Sequence, residues 1–452
     1  MKKERLIVVG GVAAGMSGAS RARKLRPDME IIVFEKSGYV SYAMCGMPYF
    51  VADRVKTVES LVFYNASFFQ ENRNIRVFLH HEVKRILTAK NTVVVEDRES
   101  GKEQTYEYDK LLITTGARPF VPSIEGTNLR GIFTLRQLED GIAIKEYVLN
   151  EKPKTGLIMG GGYIAMEMAE AFSEAGVKVT IVEKMPEILG TMDREITERI
   201  EKELERNGVT LIKSDSVTQF TGRGSRVVGA VLGSGLTVNA DIVLISVGIT
   251  PNSAIAKEAD IRLGVAGAIG VNAKMEASIP GVYAAGDCAE AHHIVLGRNV
   301  YVPLGTTANK QGRVAGENIA GGDAAFKGIV GTSVFKTFDL EVGRTGITEK
   351  EAMSEHMDYV ANVIEHISRA HYYPGVSRIL VKLVADRKTG RLLGAQMAGT
   401  EGVSKRVDVF ATAITARMSV DEITELDLGY APPFGPVNDP VLVAAEQLQK
   451  QV

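Results

Sequence analysis

This sequence predicts an α/β fold: two Rossmann-like units followed by a C-terminal α+β domain of different construction. Two segments with the same order of parts, a short apolar strand, a glycine-rich turn, a helix and a second strand ending in an acid, recur 150 positions apart. From about Gly331 onward, strands and helices continue without any such turn.

In the first unit the strand at 6–9 runs into Gly10, Gly11, Val12, Ala13, Ala14 and Gly15, a helix follows through Arg26, and the strand IIVFE ends at Glu35. In the second the strand at 156–159 runs into Gly160, Gly161, Gly162, Tyr163, Ile164 and Ala165, a helix continues to about Ala175, and VTIVE ends at Glu183. A strand before, a helix after and an acid about 20 residues beyond give a glycine motif its meaning. Glycine lets backbone N–H groups approach a pyrophosphate, the helix N-terminus adds positive potential, and the acid accepts from ribose hydroxyls. Two such units imply two dinucleotides. In the first copy Val12 stands where the middle glycine would be, so that turn relies on Gly10, Gly11 and Gly15.

Two later strands end in glycine, YDKLLITTGARP at Gly116 and ADIVLISVGITPN at Gly248, and mark where the chain passes between domains. The expected division is 1–118 with 249–325, 119–248, and 326–452. The segment GVYAAGDCAE puts Asp287 just past a strand and Gly286, where an acid can accept from a polyol or ribose.

The 452 residues fit about three domains and exclude a small disulfide-stapled fold. Fifty-three Lys and Arg against 55 Asp and Glu leave a net charge of −2, with no broad attraction for nucleic acid or an anionic membrane. Hydrophobic residues at 45%, charged residues at 24% and a mean hydropathy of +0.02 are those of a globular protein. Two cysteines and an N-terminus, MKKERLIVVGG, without an export pattern lead us to expect a cytoplasmic protein. No run of about 18 apolar residues is present to span a membrane. The histidines, among them His80, His81, His292 and His293, lack metal-ligand spacing, and no metal is expected.

Over essentially its whole length the chain resembles the FAD-dependent pyridine nucleotide-disulfide oxidoreductases, through VVGGVAAG, SYAMCGMPY, ITTGARP, GGGYIAMEMAE, SVGITPN, VYAAGDCAE, HYYPG and YAPPF. The resemblance implies that the first unit binds FAD with Gly10, Gly11, Ala14, Gly15, Glu35, Lys36 and Val83. Thr115 and Gly116 would lie near it, and Asp287 would hold its ribityl and pyrophosphate region. It implies that Gly160, Gly162, Tyr163, Ile164, Glu183 and Gly248 bind the nicotinamide cofactor, and that the C-terminal domain makes a homodimer. Glu183 should favour the free 2′-hydroxyl of NADH, with Lys184 beside it permitting NADPH.

Family members with an internal redox disulfide place two cysteines four residues apart, and here the first position is Ser41, so Cys45 has no such partner. Cys288 is expected to be packing. Cys45 lies ten residues past Glu35 on a helix-opening segment, where a helix N-terminus should stabilise its thiolate. A lone redox cysteine completes its cycle with an external sulfur, as a mixed disulfide, or with oxygen, as a sulfenic acid. Single-cysteine peroxidases and water-forming oxidases carry a histidine in the first glycine turn, and this chain has Ala13 there. It resembles instead the coenzyme A-disulfide reductases and CoA-dependent sulfur reductases, whose turn reads GGVA. That resemblance implies two phenols, Tyr372 and Tyr430, brought to the cysteine from the partner subunit. It also implies CoA contacts from Ser17, Arg21, Lys24, Ser41, Asn309 and Asn438. Met44, Asn309 and Asn438 stand where a described member of the subgroup has asparagine, histidine and lysine. Arg21, Arg23, Lys24 and Arg26 form a basic cluster suited to CoA phosphates. The expected activity is NAD(P)H-driven reduction of CoA disulfide through a Cys45–S–S–CoA mixed disulfide. The alternatives are an NADH oxidase and a CoA-dependent sulfur or polysulfide reductase.

Overall fold

The computed structural model describes residues 3–452. Its first sheet is five parallel strands in the order Val282–Ala284, Lys110–Ile113, Arg5–Val9, Glu30–Phe34 and Arg76–Phe78. Residues Leu6, Ile7 and Val8 on the central strand are wholly buried, as a parallel sheet covered on both faces requires. A second five-stranded parallel sheet repeats the plan in the order Thr210–Lys213, Lys178–Glu183, Thr155–Met159, Ile242–Ile245 and Ile132–Phe133. The registers correspond: Val9 sits opposite Phe34 and Ile113 in one sheet, and Met159 opposite Val182 and Ile245 in the other. The central strand of the first sheet leads into helix α1 (Ala13–Leu25), and that of the second into helix α2 (Tyr163–Glu174). The predicted duplication is therefore carried into the hydrogen bonding of both sheets.

Each unit carries a three-stranded antiparallel insertion, spanning 81–107 in the first and 217–239 in the second. The C-terminal part is a five-stranded antiparallel sheet in the order Ser333–Thr337, Leu340–Gly346, Leu392–Gly399, Arg378–Asp386 and Tyr359–Ile367. Helix Val403–Ala416 buries Val403, Val407, Phe410 and Ile414 on one face, and helix Pro440–Gln449 adds Val441, Ala444, Ala445 and Leu448 to the same core. No helix among the described residues is long and apolar enough to cross a membrane.

Helix α1 lies against a third helix, α3 (Gly305–Ile319), and glycine permits the approach. A Cβ on Gly312 would stand 2.3 Å from the Ala14 carbonyl oxygen, and one on Gly316 2.2 Å from that of Gly18. Backbone therefore packs on backbone. Gly312→Ala should lower stability by about 1–3 kcal/mol, the usual effect of overpacking, read as a shift of the unfolding midpoint in urea.

Candidate active site

The two glycine turns are the same object built twice. Gly10 (φ +103°) and Gly160 (φ +101°) lie in the left-handed region, and a Cβ on either would stand 2.3 Å from a carbonyl oxygen, Thr114 or Ser246. Their N–H groups donate to Phe34 and Val182 at 2.8 Å in both cases. Glu35 accepts from Gly11 N at 2.7 Å and Ser37 N at 2.9 Å; Glu183 accepts from Gly161 N at 2.7 Å and Met185 N at 2.7 Å. Each acid thus ties its strand end to its turn before α1 or α2 begins.

The rest of the predicted set lies on the strands, crossings and loops of the two units. Ala14 is buried beneath the first, with its Cβ against Gly286. Thr115 donates to the Asn252 carbonyl at 2.6 Å and accepts, through its own carbonyl, from the Asn252 amide at 2.9 Å. Gly116 and Gly248 both have positive φ. Half-buried Lys36 follows Glu35, and Val83 is buried in the strand His81–Leu87. Asp287, nearly buried, is ion-paired with Arg136. Half-buried Ile164 opens α2 beside Tyr163, whose hydroxyl lies 3.2 Å from both Thr191 Oγ1 and Ser333 Oγ and whose ring meets Phe335 edge-on.

Cys45 sits in a single 3-10 turn, Met44–Gly46, and the segment is tethered to the first glycine turn by Ser41 N donating to Gly11 O at 3.0 Å. Cys288 is fully buried, its sulfur 3.4 Å from the Ile113 and Ala285 carbonyls, so Cys45 is the exposed thiol of the two. In the C-terminal domain the Tyr372 and Tyr430 hydroxyls lie 3.2 Å apart on the surface, and their hydrogen bond raises the Tyr430 pKa. Phe434 and Val437 near them are 80% and 69% exposed, an apolar patch of the sort that marks a protein interface.

A model of the pyridine nucleotide-disulphide oxidoreductase family matches residues 4–312, and one of that family's dimerisation domain matches 332–439. The chain belongs to this family. It is accordingly an FAD- and NAD(P)H-dependent oxidoreductase. NAD(P)H coenzyme A polysulfide/persulfide reductase of Pyrococcus horikoshii is 41% identical over 448 residues, covering 99% of each chain. Coenzyme A disulfide reductase of Staphylococcus haemolyticus is 32% identical over 441 residues, 96% of this chain and 97% of that one. The crystal structure of reduced Bacillus anthracis CoADR-RHD matches with a TM-score of 0.96 at 34% identity, over 100% of this chain and 81% of that one.

The turns of this oxidoreductase fit the cofactors of its family. A Cβ on Gly162 would meet nothing within 4 Å, so the backbone at the mouth of α2 is open to a diphosphate. Val12, the matching residue of the first unit, is half-buried against the core instead, so approach there is by Gly10, Gly11 and the start of α1.

Two sequence expectations are corrected. Cys45 does open a helical run, its 3-10 turn passing directly into Met47–Val51, but with only five α-helical residues that run lends its thiolate little support. Loss of hydration, then Glu167, push the thiol above the ordinary cysteine value, with Asp287 adding to the rise and Arg136 opposing it. The basic cluster on α1 also does not stand free. Arg21 is paired with Glu317 at 2.6 Å; Arg23 donates to the carbonyls of Arg26, Pro27 and Asn74; Arg26 pairs with Asp28 and Glu4. Arg23, which meets only carbonyls, and Lys24 have no ion-pair partner among the described residues. Ser17 and Asn309 do come together, the hydroxyl donating to the amide oxygen at 2.6 Å. Beside them opens a cleft of about 590 Å³ lined by Arg21, Lys310, Arg313, Lys327 and Glu317. Asn438 lies exposed before helix Pro440–Gln449, with no bond to the Ser17 set within one chain.

Sequence reasoning missed Glu167 and Arg136. Glu167 is an acid inside the apolar run AMEM of α2, and that placement was the available signal; Arg136 meets Asp287 only in the fold. Burial, with Glu170 adding repulsion, pushes the Glu167 pKa up to about 7. A raised acid pKa means the folded chain binds the proton more tightly than the unfolded one. Stability therefore falls as pH rises from the unfolded value through about 7. Glu167→Gln removes that loss: urea unfolding should show the variant more stable than wild type by about 1–3 kcal/mol at pH 8 and little different at pH 4.5.

Proposed function

We propose that this oxidoreductase reduces coenzyme A disulfide with NAD(P)H, using Cys45 as its one redox thiol. The observation that carries the reading is Cys45 itself: exposed, tethered through Ser41 to the first glycine turn, and without a second cysteine to pair with. Gly10, Gly11, Ala14, Gly15 and Glu35 would hold FAD, with Lys36 and Val83 flanking it, Thr115, Gly116 and Asp287 at its far side, and Arg136 neutralising Asp287. Gly160, Gly162, Tyr163, Ile164, Glu183 and Gly248 would hold the nicotinamide nucleotide, NADH ahead of NADPH.

The Cys45 thiolate attacks one sulfur of CoA disulfide. A Cys45–S–S–CoA mixed disulfide forms, the substrate S–S bond breaks, and the departing CoA thiolate takes a proton. Tyr372 and Tyr430 from the partner subunit of a homodimer are suited to donate it, because a paired phenol can pass a proton without leaving a bare charge. FAD and NAD(P)H, when bound, would supply the two electrons needed to reopen the mixed disulfide, with the second CoA as leaving group and Cys45 left as a thiolate. Ser17, Ser41 and Asn309 would contact CoA, with Ser17 and Asn309 already hydrogen-bonded to each other. Lys24, Lys310, Arg313 and Lys327 have no ion-pair partner among the described residues and offer charge to CoA phosphates, while Arg21 and Arg26 are held by carboxylates. Two free cysteines suit a reducing, cytoplasmic setting.

Reduction of polysulfide with CoA as the persulfide carrier is the second reading, favoured by the 41% identity to a reductase of that name. The test is anaerobic NADH oxidation by the purified holoenzyme with CoA disulfide, with polysulfide plus CoA, and, separately, with oxygen alone. Fast turnover with CoA disulfide is expected. Turnover with polysulfide only would install the second reading, and turnover with oxygen only would replace both with an oxidase.

A further inference from the structure

We propose that the C-terminal domain positions the adenosine side of the nicotinamide-nucleotide site, through a buried knot of Asp193, Lys382 and Gln396. The inference rests on the assignment of the second glycine unit to that nucleotide. Residues 184–193 leave the strand directly after Glu183 and run without regular structure to the helix Arg194–Arg206. At their start, Met185 N donates to Glu183, and Leu189 N donates to Gly161 O at 2.9 Å. Glu183, its turn and this loop therefore move as one body.

The loop's far end is fastened to a different domain. Asp193 and Lys382 are 2% and 3% exposed and lie 3.4 Å apart. Asp193 N donates to Gln396 Oε1 at 2.8 Å while Gln396 Nε2 donates back to the Asp193 carboxylate at 2.6 Å. Two opposed bonds fix an orientation as well as a distance. Glu195 and Glu349 complete the coordination of the Lys382 ammonium at 2.9 and 2.7 Å. Lys350 also reaches the loop, donating to Met192 O at 3.0 Å and pairing with Glu187. A neutral apolar contact would join the domains as firmly. Charges at such burial are held only by well-made pairing, and so they select one geometry over its neighbours. That geometry is transmitted through residues 184–193 to the Glu183 carboxylate, whose position decides the fit of a ribose.

Gln396, Lys382 and Lys350 are thus positioning residues, acting through Asp193 and Met192. The test titrates ADP-ribose, which carries the nucleotide half without the reactive ring, into the FAD-loaded enzyme by calorimetry. Gln396→Leu and Lys382→Met should weaken binding about tenfold and raise the KM for NADH by the same factor, with kcat at saturating NADH unchanged. Lys382→Arg should restore most of the affinity. If the two core variants do not fold, Lys350→Met, at a half-exposed position, should still weaken ADP-ribose about threefold. Unchanged ADP-ribose affinity in the folded variants, or a fall in kcat without a rise in KM, would overturn the proposal. Glu183→Ala separates the two levels. If it binds ADP-ribose like wild type, the nucleotide-site assignment itself fails. If it binds weakly while Gln396→Leu and Lys350→Met do not, only the positioning role fails.

Discussion

Cys45→Ser should abolish turnover of CoA disulfide, by at least about ten-thousandfold, while the bound flavin is still bleached by NADH at its normal rate. Serine keeps the size of the side chain but cannot form the Cys45–S–S–CoA bond, so the loss falls on the sulfur chemistry alone. Stopped-flow absorbance under anaerobiosis separates the two half-reactions, and the variant should stall after one round of flavin reduction. A Cys45→Ser enzyme that kept turning over CoA disulfide would remove the thiol from the mechanism. Glu167→Gln adds a graded companion result. Removing the carboxylate that raises the Cys45 pKa should speed alkylation of the reduced thiol at pH 8 by roughly threefold or more.

The second large effect is expected at Gly160. Its φ of +101° strains any other residue, and a Cβ would stand 2.3 Å from the Ser246 carbonyl oxygen. Gly160→Val should displace the turn and slow flavin reduction by NADH about a hundredfold or more, with reduction by dithionite unaffected. Gly162→Ala is the matched control, because nothing lies within 4 Å of the added methyl. Its folding should match wild type, and its defect should appear as a raised KM for NADH. Equal unfolding midpoints for wild type and Gly162→Ala, with a lower one for Gly160→Val, would tell the two roles apart.

Much of this was legible in the chain because the signals are local. A turn glycine, the strand before it and the acid about 20 residues on are set by neighbouring backbone, so both units could be placed from their own residues. Cys45 could be singled out for the same reason, since Ser41 occupies the position a pairing cysteine needs. What could not be read depends on distant partners. The four basic residues at the end of α1 and just past it look like one patch in sequence, but Glu317, Glu4 and the Asn74 carbonyl arrive from elsewhere and occupy three of them. The Cys45 thiol was expected to be favoured as a thiolate by a helix, and a short 3-10 turn beside Glu167 reverses the direction. Arg136 and Gln396 carry no motif at all; their significance lies in Asp287 and Asp193, 151 and 203 positions away.

The paired carboxylate clasps of Glu35 and Glu183 have a kinetic consequence. Each turn is braced by the chain's own hydrogen bonds, Gly11 to Glu35 and Gly161 to Glu183, so little conformational freedom remains to be lost when a nucleotide binds. Such a preorganised mouth makes association depend mainly on diffusion and on shedding water, with no loop-ordering step in front of it. Residence time, more than capture, then becomes the quantity that separates a tightly retained flavin from a nicotinamide nucleotide that must leave after every cycle.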